Sequence, residues 1–123
     1  MLKLITSVVT LLICSNAFSA TNQNSEHAQK TLEIYRKVIS IPTAAGKGNV
    51  PEMANYLASE FYAAGFDKQD VTVIPSGETA ALVVRYRGSE SAKKPILLLG
   101  HMDVVEALPE DWQRHPFTLT QDD

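Results

Sequence analysis

His101 and Asp103 stand two positions apart, directly after the apolar run Ile96-Leu97-Leu98-Leu99 and Gly100. In extended backbone, residues two apart point to the same side, with Cα atoms about 6 to 7 Å apart. A carboxylate at that distance can accept a proton from one edge of the imidazole. A histidine held this way keeps its second nitrogen for a metal ion, with its tautomer fixed and its basicity raised. The position suits such a role, because ligands in open α/β sheets bind beyond the carboxyl ends of the strands. The same two residues also fit a plain structural role, with His101 closing a strand end and Asp103 making a turn.

The elements that must position this pair can be read from periodicity. Ser25-Glu26 opens a helical pattern in which Ala28, Leu32, Tyr35 and Ile39 share one face, with Val38 beside them. Pro42 ends it, since the residue before a proline is pushed out of helical geometry. Thr43 to Gly48 reads as a loop. Asn49 and Glu52 have capping-box spacing, with Pro51 in the first turn, so a second helix begins there. Val50, Ala54, Leu57, Phe61 and Ala64 form its apolar face, and Gly65 is the expected stop. Strand-like runs follow at Val71-Thr72-Val73-Ile74, at Ala81 to Tyr86, and at Ile96 to Leu99. The last is apolar on both faces, as a central strand covered by helices on both sides would be. The fold class expected is α/β, with a mixed central sheet flanked by helices.

The amino terminus has a different character. Met1-Leu2-Lys3 is a short positive start, Leu4 to Ile13 is apolar but for Thr and Ser, and small residues follow at Ala17 and Ser19. This is the pattern of a secretory signal peptide over residues 1–19, too short to span a bilayer. Export to a periplasmic or extracellular location is the expectation, with no membrane association once the signal is removed. Cys14 is the single cysteine and lies inside that segment, so the mature chain would carry neither disulfides nor thiolate-bound metal. The net charge of -3, with no basic stripe, argues against a nucleic-acid or membrane-surface partner.

The stretch Leu97-Leu98-Leu99-Gly100-His101-Met102-Asp103-Val104-Val105, followed by Asp111-Trp112 and His115-Pro116-Phe117, resembles the metallopeptidase family of aminoacylases, glutamate carboxypeptidases and succinyl-diaminopimelate desuccinylases. Ser40-Ile41-Pro42-Thr43 and Gly65-Phe66 fit the same pattern more loosely. The resemblance implies a zinc-exopeptidase-like catalytic domain, of which residues 20–123 would be the incomplete N-terminal part. It implies that His101 is a zinc ligand and that Asp103 is the catalytic-site carboxylate orienting it. The family often has an acidic residue where His115 stands, so no metal role is assigned to His115. The resemblance also implies two zinc ions per site, hydrolysis of an amide bond in a small peptide or N-acyl amino acid, and a second domain through which homodimers form. A zinc site with one histidine is incomplete, since catalytic zinc takes three protein ligands and a water. The chain by itself is therefore expected to be inactive. The rival expectation is a non-enzymatic binding module that keeps the fold.

Overall fold

The computed structural model describes residues 25–90 and 93–121. The expected signal segment, residues 1–19, lies outside them. The chain divides into two units, Met1–Lys37 and Val38–Asp123. In the first, the backbone is helical from residue 25, and this helix, α1, runs over 25–39 across the division. Leu32, Ile34, Val38 and Ile39 are its half-buried positions, while Tyr35, expected on the apolar face, is exposed.

In the second unit, helix α2 spans Val50–Ala63. Its start differs from the expected capping box. The Asn49 side chain makes no cap hydrogen bond; its Nδ2 donates to the Pro42 carbonyl at 3.0 Å, tying the two ends of the preceding loop together. The end of α2 is as its glycine requires. Gly65 has φ of +89°, a left-handed conformation that costs glycine nothing. Its N–H donates to the Tyr62 carbonyl at 3.0 Å, and the Phe66 N–H donates to the Phe61 carbonyl at 3.1 Å. The Phe61 and Phe66 rings meet edge to face at 5.2 Å, the apolar contact that accompanies this kind of helix end.

Strands β1, Val71–Ser76, and β2, Thr79–Val84, form an antiparallel hairpin with Val71 opposite Val84 and Ser76 opposite Thr79. Both run two residues closer to the turn than the apolar runs suggest. Gly77, with φ of +60°, takes the first central position of the two-residue turn, which only glycine fills readily. Pro75 is tolerated because a two-stranded sheet has a free edge on each strand. Val71 and Ala80 are buried, and Val73, Leu82 and Val84 are half-buried, so one face of the hairpin is covered. Helix α2 packs on the hairpin, and its buried residues are Val50, Met53, Ala54 and Ala58. Of the expected face, Val50 and Ala54 are buried and Leu57 and Phe61 half-buried, while Ala64, at the helix end, is exposed; Met53 and Ala58 join the buried stripe.

The open end of the hairpin is held by charge. Asp70, in a 3-10 turn over Lys68–Asp70, is 7% exposed. Arg87 donates to it from Nε at 2.7 Å and from Nη2 at 2.8 Å, and the Arg85 backbone N–H donates to the Asp70 carbonyl at 2.8 Å. The Arg87 hydrogen bond holds the Asp70 carboxyl below the usual carboxylate range, against the opposing pull of burial. A depressed carboxylate contributes stability above its unfolded pKa, near 4, and loses that contribution as pH falls through the lower folded value. Asp70→Asn is therefore expected to unfold at a lower temperature than the parent at pH 7, with the gap closing as both are acidified below about pH 4. Thermal melts across that range check it; a gap that stays constant would show that Asp70 acts by packing alone.

The third run does not form the expected central strand. Residues 96–99 belong to no strand and are 85% to 94% exposed. The α/β character stands, but among the described residues the sheet is the antiparallel pair β1–β2 rather than a mixed sheet. An extended segment becomes a strand only when a neighbour satisfies its N–H and C=O groups. No ladder reaches 96–99 among the described residues.

Candidate functional site

His101 and Asp103 follow this exposed segment in irregular backbone, with side chains 82% and 67% exposed. The expected pairing is present, with a difference. His101 Nδ1 lies 3.5 Å from Asp103 Oδ1, longer than a charge-assisted hydrogen bond. It lies 2.7 Å from the Asp103 backbone carbonyl. A carbonyl can only accept, so a hydrogen bond there requires Nδ1–H as the donor, and in the neutral ring that tautomer leaves the lone pair on Nε2. The backbone of Asp103 is thus the nearer acceptor, and its carboxylate a flanking negative charge.

The two residues between which Met102 stands are fixed from a distant part of the sequence. Thr43 is 1% exposed, and its Oγ1 donates to the Met102 carbonyl at 2.7 Å. The loop carrying it is shaped by Pro42, by a turn in which the Lys47 N–H donates to the Ala44 carbonyl at 3.1 Å, and by glycines 46 and 48 at φ of +80° and +68°. Lys47 also pairs with Glu106 at 3.0 Å across the surface, a contact of small energetic weight at this exposure. Loop and segment enclose a cleft of about 590 Å³ whose walls include Thr43, Gly46, Gly48, Glu78, Thr79 and Asp103. Thr43 is the residue that the sequence did not mark as part of the site. A hydroxyl donor 59 positions from its acceptor leaves no local pattern.

The remaining histidines make contacts of their own. His115 Nδ1 accepts from the Phe117 backbone N–H at 3.3 Å, closing a surface turn. His27 lies on α1, in the other unit, where its carbonyl accepts from Thr31 Oγ1 at 2.8 Å. Among the described residues no group of three or more His, Cys, Asp or Glu side chains is arranged to hold a metal ion. The His101 ring is exposed, and a catalytic zinc site takes three protein ligands.

Two curated proteins resemble the chain. It is 36% identical over 107 residues to a Cys-Gly metallodipeptidase of Candida albicans, covering 76% of this chain and 22% of that protein. It is 33% identical over 103 residues to a Cys-Gly metallodipeptidase of Schizosaccharomyces pombe, covering 70% of this chain and 20% of that protein. The chain thus spans about a fifth of the length of these relatives. No protein-family profile and no solved structure matches it. The similarity agrees with the metallopeptidase resemblance and does not separate its subfamilies.

Proposed function

We propose that the working protein is a zinc-dependent peptidase of small substrates, to which this chain contributes His101 as one metal ligand and Asp103 as the group that orients it. The observation that carries the reading is the ring geometry. Nδ1 lies 2.7 Å from the Asp103 carbonyl, which favours the tautomer with Nδ1–H and leaves Nε2 of the exposed ring for a metal ion. The two metallodipeptidase relatives support peptide hydrolysis over other metal-dependent chemistry.

When bound, a pair of zinc ions supplies Lewis acidity toward a scissile carbonyl and lowers the pKa of water. The chain's own part is positional. The Asp103 carbonyl holds the proton on Nδ1, so the imidazole offers its lone pair in one direction. The Asp103 carboxylate adds negative charge beside the ring, 3.5 Å from Nδ1, the kind of group that commonly supports a metal-ligating histidine. The other ligands, and the base that takes the proton from water, would come from outside the described residues. The substrate class is a dipeptide or an amide of similar size, such as an N-acyl amino acid, and export by the leader at 1–19 would place the reaction outside the cytoplasm.

The test uses full-length protein, with Cys-Gly and other dipeptides compared against N-acetyl amino acids. Expected is hydrolysis of a dipeptide that is lost on chelation and restored by zinc. Turnover that survives chelation, or binding of dipeptides without hydrolysis, would overturn the reading, the latter in favour of a binding module.

A further inference from the structure

We infer that Thr43 is a positioning residue for the His101 imidazole, acting through the Met102–Asp103 peptide group; its relevance to metal binding rests on the function proposed above. Thr43 is the largest fully buried side chain among the described residues, and its hydroxyl donates at 2.7 Å to the carbonyl of Met102, the residue between the two site residues. That carbonyl belongs to the same planar peptide unit as the Asp103 N–H. Holding that plane restrains the backbone between the two site residues, one residue before the Asp103 carbonyl. The Asp103 carbonyl is what the imidazole Nδ1 donates to. The order of contacts is therefore Thr43 hydroxyl, Met102 peptide plane, Asp103 carbonyl and His101 ring.

The donor is itself held on a prepared loop. Pro42 precedes it, and the Pro42 carbonyl accepts from Asn49 Nδ2 at 3.0 Å at the point where α2 begins. The positioning of an exposed ring, 82% open to solvent, is thereby transferred to a buried anchor in a loop that is tied to the start of α2. A buried threonine that only filled space would need its methyl. One that positions the ring needs its hydroxyl.

The experiment reads the His101 tautomer directly, by nitrogen NMR of 15N-histidine-labelled, metal-free protein, with His101→Gln identifying the signal. The parent should hold the proton on Nδ1. Thr43→Val, which keeps the shape and removes the donor, should shift the ratio of Nδ1–H to Nε2–H by about 3- to 10-fold toward Nε2–H, the range of one ordinary hydrogen bond. Thr43→Ser should retain the parental ratio. Should Thr43→Val not fold, Thr43→Ala against Thr43→Ser makes the same comparison, since both lack the methyl and only serine keeps the donor. A donor-less variant with a lowered Tm and an unchanged tautomer would overturn the proposal and leave Thr43 a packing residue. The tautomer is read without metal, so failure of the full-length protein to bind zinc would sink the proposed function and leave this result standing.

Discussion

Full-length protein carrying His101→Ala should lose its turnover almost completely while keeping its fold. The His101 side chain is 82% exposed, and its Nδ1 lies within bonding distance of Asp103. Surface changes of this kind scarcely alter stability, so the thermal midpoint should stay within about 3 °C of the parent. The metal, in contrast, loses a ligand. If Lewis-acid stabilisation is worth several kcal/mol, its removal lowers turnover by on the order of 10³-fold. Elemental analysis and dipeptide turnover, measured together, check the prediction. Loss of metal with an unchanged melt assigns His101 to the site. Full occupancy with normal turnover would reduce the segment from Gly100 to Asp103 to a turn after an extended run.

What could be read from the sequence divides along physical lines. The end of α2 was legible because Gly65 is a local signal, and the bonds it closes lie within a few residues of it. The runs that become β1 and β2 were legible as strands, but their pairing was not: the turn at Gly77 draws both strands two residues further in than their apolar runs reach. The cap of α2 was misread because Asn49 has two uses for its amide, and the choice of the Pro42 carbonyl depends on a loop whose path is not periodic. The run at 96–99 was read as a buried strand because apolar content reports a preference for burial. It does not report which partner provides it, and strand state is a property of a pair.

The site shows the same division at closer range. The spacing of His101 and Asp103 was sufficient to bring them together, as any two residues at i and i+2 on a suitable backbone would be. It could not say which oxygen of Asp103 the ring would meet. A backbone carbonyl is present at every position and leaves no mark on composition, so residue types alone favour the carboxylate. The Thr43 contact lay further out of reach, because it depends on how the loop before α2 meets a segment 59 positions later.

That difference between carbonyl and carboxylate sets the expectation for Asp103→Asn. Asparagine keeps the backbone carbonyl at 2.7 Å from Nδ1, so the imidazole should keep its proton on Nδ1 and its lone pair on Nε2. What is removed is the negative charge 3.5 Å from the ring, a group of the kind that supports metal-ligating histidines. Metal should therefore still bind at high zinc concentration, while affinity or turnover falls by about 10- to 100-fold, the usual cost of altering a group that supports a metal ligand. Zinc titration, turnover at saturating zinc and the His101 tautomer, measured on one preparation, separate the outcomes. A parental tautomer with reduced turnover assigns the carboxylate an electrostatic role and the backbone an orienting one. A changed tautomer would mean that the carboxylate, despite its distance, is what orients the ring. Unchanged turnover would remove the Asp103 side chain from the site and leave its carbonyl as the whole of its contribution.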